Sequence, residues 1–355
     1  MVDMRNGAIR LVLGAARWSG AAALARPLLS GSAAILMLHR VTRRNWSPLG
    51  LSGGLTVTPQ FLDRLLADIR RRGQAIVPMD EIPQALRAGR GRQVVAITAD
   101  DAYLDNLTEA LPVFEAHDAP FTVYVAPGLI SGETLPWWEV VEELAMAHDA
   151  LRLPAGEGEE DGEDGEDGGA VLACRSMAEK RAAARRLAAF LTEEVAEEDQ
   201  QAVLRAMGGV AGPVRRFMDW DELRRLSAHP LATLGAHTVH HVALARLGAA
   251  EALAEMRESA AIIERETGSR PRHFAYPYGH AAAVGAREVE LARQAGFATA
   301  VTTRHGVLAP GHADHLHALP RVSVNGNFQT VPEVRTLMSG LTTVLAGKGR
   351  RLVTV

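Results

Sequence analysis

The stretch "VVAITADD", residues 94–101, decides the fold of this chain. Its first part is an apolar run rich in β-branched residues, which predicts a strand buried on both faces within a parallel sheet. The run ends in two adjacent carboxylates, Asp100 and Asp101. Active sites collect at the carboxyl ends of parallel strands, although an Asp in this place can also simply cap a helix. The rest of the chain must decide between these two interpretations.

Similar apolar runs alternate with helix-like segments along the chain, and this alternation is typical of βα units around a parallel sheet. The strand-like runs lie at residues 33–38, 94–98, 121–125, 231–235, 273–276 and 298–302, and the helix-like segments lie at 59–72, 104–116, 249–267 and 286–295. We therefore predict an α/β fold, a distorted and incomplete (β/α) barrel, as one domain over residues 31–345.

Helical segments rich in Ala and Glu interrupt the alternation over residues 139–216, which we interpret as an insertion. Within it, residues 156–169 read "GEGEEDGEDGEDGG", with eight acidic residues and no basic ones. We predict that this run is a solvated, disordered loop, because nothing in it would fix the geometry of metal ligands.

The composition excludes several classes of protein. With 47% hydrophobic and 23% charged residues in 355, the chain is an ordinary globular protein. The net charge is −4, so the part outside the acidic run carries about +4, but no stripe of basic residues interleaved with aromatics predicts a nucleic-acid partner. Cys174 is the one cysteine, which excludes an intramolecular disulfide and is typical of a structural thiol.

The first 30 residues predict an amphipathic helical segment. Residues 8–29 are apolar, but Arg10, Arg17 and Arg26 interrupt them, so no uncharged run approaches the ~20 residues of a membrane span. We expect a cytoplasmic protein with peripheral membrane contact through residues 8–29. Secretion or a periplasmic location, on the strength of a weak signal-like run, is the less favoured alternative.

Histidines supply the partners that the aspartate pair needs. The stretch "LGAHTVHHVALARL", residues 234–247, puts His237 and His241 four residues apart, on one face of a helical turn if one begins there. Two imidazoles and one carboxylate can hold a divalent metal and leave positions open for water and substrate. The second Asp of the pair is then free to take a proton from that water.

Two further strand ends carry polar groups. "HFAYPYGH", residues 273–280, ends in a Pro-Tyr-Gly turn that can direct a backbone N–H at a developing oxyanion. "ILMLHRV", residues 35–41, places His39 after another apolar strand, where it is a candidate general acid. Taken alone, each stretch is better explained by structure than by catalysis.

Taken together, these motifs resemble the polysaccharide deacetylases of carbohydrate esterase family 4, which share the nodulation-protein-B homology domain. Residues 98–101, "TADD", resemble the family's Thr-Phe-Asp-Asp motif, and residues 237–241, "HTVHH", resemble its His-Ser/Thr-x-x-His motif. Residues 274–279, "FAYPYG", resemble its Arg-x-Pro-Tyr turn. The motifs occur in the family's order between about residues 33 and 325.

The resemblance implies a metal-dependent hydrolase that removes N-acetyl groups from the amino sugars of a polysaccharide or chitooligosaccharide. Asp100 would be the general base, and Asp101, His237 and His241 would hold the metal. Nitrogen and oxygen ligands of this kind suit zinc, with cobalt or nickel as substitutes. The implied partner is an acetylated glycan, while the oligomeric state stays open.

The general acid has more than one candidate. In many members of the family it follows the third motif, which would select His315 or His317. Residues 35–39, "ILMLH", match the family's Leu-x-His stretch better, in a permuted order similar to that of the poly-N-acetylglucosamine deacetylases. We therefore assign the general acid to His39.

The chain departs from the family pattern at two positions. Ala102 replaces the Gly that usually follows the Asp pair, and Ala275 stands where the third motif often has the Arg that orients the base. Arg321, near a later strand end, is the candidate replacement. We group it with Pro277 and Tyr278 as substrate- or oxyanion-binding residues.

Two other functions remain open at this point. The same fold could act on a non-sugar amide, which an acetate-release assay on N-acetylglucosamine oligomers would distinguish. The departures at Ala102 and Ala275 would also suit a degenerate glycan-binding module without activity. An intact set of metal ligands beside a free carboxylate argues against that module.

Overall fold

The structure is a computed structural model that describes residues 14, 18–89, 91, 93–154, 169–209 and 215–355. The predicted acidic loop at 156–169 lies outside these residues, apart from Gly169, and so does most of the first half of the predicted segment 1–30.

Seven parallel strands form a closed barrel within the described residues, in the order β1-β11-β10-β9-β8-β5-β4. The predicted (β/α) barrel is confirmed, with one strand fewer than the eight of a complete barrel. Four short strands pair outside it, β2 with β3 and β6 with β7. The strands are β1 (Ala33–Leu38), β2 (Arg40–Val41), β3 (Thr56–Val57), β4 (Val94–Ala99), β5 (Phe121–Val125), β6 (Ala150–Arg152), β7 (Val171–Ala173), β8 (Ala232–Ala236), β9 (His273–Ala275), β10 (Thr299–His305) and β11 (Leu319–Ser323).

Helices lie between most of the consecutive barrel strands, and two of them show clear signals at their ends. The α-helices are α1 (Ala21–Leu29), α2 (Pro59–Arg71), α3 (Ile82–Arg87), α4 (Leu111–Ala116), α5 (Pro127–Ser131), α6 (Trp137–Ala147), α7 (Met177–Ala189), α8 (Gln200–Ala206), α9 (Trp220–Ser227), α10 (Ala249–Thr267), α11 (Ala286–Gln294), α12 (Val331–Met338) and α13 (Leu341–Ala346). Thr58 caps α2 by accepting a hydrogen bond from the Phe61 N–H. Gly268, predicted to stop α10, ends that helix at φ 75°. None of the described helices combines the length and the hydropathy that crossing a bilayer requires.

Side chains on the barrel strands alternate between two environments. On β4, Val95, Ile97 and Ala99 belong to the main apolar core that includes the surrounding helices. Ala96 packs instead with Ile35 and other residues in a second, smaller cluster. Because strand side chains alternate, Asp100 lies on the same side as Ala96, inside the mouth of the barrel.

A second compact unit consists of residues 44–54 and 131–215. It has its own apolar core, which includes Leu144, Leu187 and Leu204. Its buried Glu142 accepts hydrogen bonds from the Ser47 hydroxyl and from the Leu49 N–H, and these bonds fix the segment 44–54 within the unit. The predicted insertion at 139–216 was based on helical composition alone, which cannot detect that this earlier segment packs with it.

We expect that replacing residues 156–169 with a short Gly-Ser linker leaves the melting temperature nearly unchanged. The strands on either side are already paired, with Leu151 opposite Leu172. Halving a loop changes the free energy of its closure by only about 0.6 kcal/mol. Thermal unfolding followed by circular dichroism measures the effect, and a fall of many degrees would show that these residues contribute packing.

Candidate metal centre and active site

Asp101, His237 and His241 form a buried cluster at the carboxyl ends of β4 and β8. Asp101 Oδ1 lies 3.4 Å from His237 Nε2 and 3.2 Å from His241 Nε2. The structure thus brings together the three residues that the resemblance assigns to the metal.

The spacing of these atoms suits a divalent metal ion. Ligand atoms about 2.0–2.2 Å from a tetrahedral zinc ion lie about 3.3–3.5 Å from one another. Asp101 Oδ1 is buried and accepts no hydrogen bond from the described residues. A buried carboxylate oxygen without a donor is costly, so an ion that these residues bind would also satisfy Asp101.

His237 is oriented by a hydrogen bond on the far side of its ring. Its Nδ1 lies 2.7 Å from the backbone oxygen of Ala275, at the end of β9. A carbonyl oxygen can only accept, so Nδ1 carries a proton and donates it, which leaves the Nε2 lone pair facing Asp101. Such outer hydrogen bonds are the usual way in which proteins orient a metal-binding imidazole.

The electrostatics of the cluster favour a positive charge between its members. Burial raises the pKa of the Asp101 carboxyl, but the facing imidazoles outweigh burial and hold that pKa well below its usual range. Burial lowers the pKa of His237, but Asp101 and Asp100 outweigh burial and raise it. A proton or a metal cation at this place is therefore stabilised.

Several residues in the loops around this cluster adopt backbone conformations that are unusual for residues other than glycine. Positive φ values occur at Asp101 (71°), Ala102 (55°), Thr238 (58°), His241 (53°) and Tyr278 (60°). Ala102 keeps the left-handed conformation although it lacks the freedom of the usual Gly, at a cost of about 1–2 kcal/mol. Ala102 therefore holds a strained backbone conformation in which a Gly would be relaxed.

Sequence reasoning missed Glu255, on α10, which holds the loop between the two histidines. Its Oε2 accepts hydrogen bonds from the Val239 and His240 N–H groups at 2.8 and 3.0 Å, and its Oε1 lies 2.6 Å from His240 Nδ1. The one available signal was an acidic residue on a helix that follows the histidine motif. Such a residue is too common to predict this contact.

We expect Glu255→Ala to weaken metal binding by about 10–100-fold, the usual effect of losing a group that orients metal ligands. The variant leaves two backbone N–H groups without their acceptor and frees the loop that carries His241. Competition with a chromogenic chelator measures zinc affinity. Glu258→Ala, an exposed position on the same helix, is the matched control. Equal affinity in both variants would remove Glu255 from this role.

Asp100 is held by Arg321, which the chain supplies from β11. Arg321 Nη1 and Nη2 each donate to one oxygen of Asp100, both at 2.7 Å. The guanidinium is held in turn by the Thr302 carbonyl oxygen at 2.9 Å and by the Thr98 hydroxyl at 3.1 Å. This two-pronged contact fixes the carboxylate in one orientation.

The contacts of Arg321 therefore differ from those expected of a substrate- or oxyanion-binding residue, the role predicted from the sequence. Its side chain has no exposed surface, and its donors bind Asp100, Thr98 and Thr302. We assign it to positioning the base in place of an Arg at position 275, and not to substrate or oxyanion binding. Burial raises the pKa of Asp100, but the Arg321 charge outweighs burial and lowers it, so the carboxylate stays ionised.

His39 lies on the other side of Asp100, with 4.0 Å between its Nε2 and Asp100 Oδ2. Its side chain is 21% exposed, so it can be reached from solvent. Burial lowers the pKa of His39, and Asp100 and Asp101 oppose this effect without cancelling it.

The alternative histidines lie elsewhere. His317 lies before the first residue of β11, whereas the cluster lies at the carboxyl ends of the barrel strands. Its Nε2 is bonded to the Phe297 carbonyl oxygen. His315 lies two residues further from Arg321, so the structure brings His39 to the cluster and neither of these two.

The Pro277-Tyr278 turn borders the cluster. The Tyr278 ring packs edge-on against the His241 ring, with 5.1 Å between their centroids. The buried Pro277 accepts a hydrogen bond from the Gly279 N–H at 2.7 Å, which closes the turn. Tyr278 is partly exposed.

The comparison with family models gives one match. The model described as "Polysaccharide deacetylase" matches residues 180–300, which include the histidine motif and the Pro-Tyr turn. Asp100, Asp101 and His39 precede the matched residues. No curated protein sequence matches the chain.

Solved structures with the same fold include two deacetylases and the protein IcaB. Streptococcus pyogenes deacetylase PplD, solved in complex with acetate, is 17% identical with a TM-score of 0.55, over 86% of this chain and 97% of its own. IcaB from Ammonifex degensii is 18% identical with a TM-score of 0.52, over 86% and 97%. A polysaccharide deacetylase from Bacillus cereus is 15% identical with a TM-score of 0.52, over 86% and 68%.

Proposed function

From the premise that this chain carries the polysaccharide deacetylase fold and matches that family over residues 180–300, we propose that it is a metal-dependent N-deacetylase of amino sugars. One observation carries the proposal: an ionised carboxylate, Asp100, is fixed beside three metal-binding side chains by a buried arginine. A binding module needs neither an oriented base nor an incomplete set of metal ligands.

Asp101, His237 and His241 would hold the metal, and we propose zinc because of their nitrogen and oxygen donors. A bound zinc ion supplies Lewis acidity and lowers the pKa of water. The remaining chemistry belongs to the side chains around it.

Asp100 accepts a proton from the attacking water as the water oxygen adds to the acetyl carbonyl carbon. The C–N bond then breaks, and His39 donates a proton to the departing amine nitrogen. The products are acetate and the free amino sugar. Asp100 is left protonated and His39 neutral. Once the products leave, the proton returns from Asp100 to His39 through a bridging water, since their 4.0 Å separation exceeds hydrogen-bonding distance.

We propose acetyl as the acyl group that this site transfers to water. The S. pyogenes relative of the same fold was solved with acetate, the product that the proposed reaction releases. We propose N-acetylglucosamine units in a chitooligosaccharide or longer polysaccharide as substrate, and the Tyr278 ring beside the cluster is an apolar surface of a size that suits a sugar face.

Acetate release tests this function. The purified chain is incubated with chitooligosaccharides and with poly-N-acetylglucosamine, before and after treatment with a chelator and again after adding zinc. We expect release that the chelator abolishes and zinc restores. Release that the chelator leaves unchanged would contradict the metal dependence. If only non-sugar amides were cleaved, the sugar substrate would be wrong and the mechanism would stand.

A further inference from the structure

Exposed apolar side chains concentrate in two short segments of the chain. Nine large hydrophobic side chains are exposed among the described residues, and six of these lie within residues 18–28 and 345–355. The most exposed are Trp18 at 82% and Leu24 at 79%. Single exposed hydrophobics are ordinary on protein surfaces, but a concentration of this kind marks a site of interaction.

The two segments pack together and form one surface, which we call the terminal surface (residues 18–29 and 341–355). Arg351 Nη2 donates a hydrogen bond to the Leu28 carbonyl oxygen at 2.6 Å. A Cβ on Gly340 would lie 1.8 Å from the Leu29 carbonyl oxygen, so the backbones meet where no side chain fits. Leu24 and Leu28 are four residues apart in α1, and both are exposed on the same face.

The terminal surface is basic. It contains Arg26, Lys348, Arg350 and Arg351 and no acidic residue. Lys348 and Arg350 are exposed.

The helix α1 of the terminal surface lies at the end of the barrel opposite to the active site. The helix α1 leads directly into the first residue of β1, whereas His39 follows the last residue of that strand. Six residues of strand correspond to about 20 Å. A surface that docks here would leave the active-site loops directed away from it.

We propose that the terminal surface docks the protein on an anionic lipid membrane, with the active site facing away from the bilayer. Leucine and tryptophan side chains entering the interface, with arginine and lysine beside them, are the combination that anionic membranes bind. A protein partner would also cover apolar side chains. However, it would not by itself explain four basic residues without a single acidic one.

Vesicle binding of the full chain tests this proposal. We expect the protein to cosediment with vesicles that contain both phosphatidylglycerol and phosphatidylcholine. We expect no cosedimentation with vesicles of phosphatidylcholine alone. Lys348→Gln and Arg350→Gln should each weaken binding about fivefold, since a basic residue near such a surface contributes about 1 kcal/mol. Binding should also shift the tryptophan emission to shorter wavelength, and Trp18→Phe should remove most of that shift.

A matched pair of apolar substitutions completes the test. Leu345→Ser should weaken vesicle binding about tenfold, whereas Val171→Ser, at a side chain of equal exposure in the other compact unit, should not. Circular dichroism and melting temperature check that both variants fold. Equal binding to neutral and anionic vesicles, or equal effects of the two substitutions, would overturn the proposal. The proposal would also be overturned if the protein formed a dimer in solution and Leu345→Ser dissociated that dimer without changing vesicle binding.

Discussion

Asp101→Asn is expected to lose bound zinc, whereas Asp100→Asn is expected to keep it and to lose about 10²–10⁴-fold in kcat with KM little changed. Only Asp101 faces the two imidazoles, at 3.2 and 3.4 Å. Asp100 faces Arg321 and His39 instead. Two adjacent carboxylates thus have separate tasks because successive side chains at a strand end point in different directions.

Metal content and steady-state kinetics, measured on the same protein samples, separate the two effects. His39→Ala should behave like the Asp100 variant, because protonating the departing amine is the partner of activating the water. His237→Ala should behave like the Asp101 variant and lose both metal and activity. Full activity in Asp100→Asn, or the reverse metal contents in the two aspartate variants, would disprove this division.

Arg321→Met is expected to destabilise the fold by about 3–5 kcal/mol and to abolish most of the activity. The substitution leaves Asp100 buried without its countercharge, and an unpaired buried charge is far more costly than the absence of the pair. The double variant Asp100→Asn/Arg321→Met should therefore recover much of the lost stability but none of the activity. Urea unfolding of the wild type, both single variants and the double variant measures the coupling.

Arg335→Met provides the comparison for this prediction. Arg335 also pairs with a buried carboxylate, Asp68, through its Nε at 2.7 Å, but its side chain is 44% exposed. Asp68 keeps two further arginines within 4.0 Å, so its charge stays compensated. We expect a loss of stability of about 1 kcal/mol and unchanged kcat. Comparable losses in both variants would mean that Arg321 contributes no more than an ordinary surface ion pair.

Much of the fold followed from the sequence because its signals are local. The apolar run at 94–98 and its counterparts each identify a barrel strand without reference to the others. Gly268 likewise predicted the end of α10, because a glycine after the last helical residue is a local signal. The two histidines of the candidate metal site could be predicted because they lie four residues apart, and Asp101 could be added to them because the strand-end motif at residues 98–101 resembles that of a known family.

The rest depends on contacts between distant residues. Arg321 meets Asp100 across 221 positions of sequence, and its total burial, which assigns it to positioning, appears only in the folded chain. Glu255 contacts the histidine loop through the packing of α10, which no spacing rule predicts. The segment 44–54 joins the second compact unit through the buried Glu142 and through Leu49, which packs in the apolar core of that unit.

The left-handed residues at the active site have a consequence for how this protein tolerates change. Asp101, Ala102, Thr238, His241 and Tyr278 all hold conformations that cost free energy, and only the surrounding packing and a bound ligand offset it. Selection for heat resistance alone would therefore favour glycine or asparagine at these positions and erode catalysis. In a variant library screened only for thermostability, substitutions that abolish activity should be enriched at these five positions. Stability and turnover must therefore be selected together.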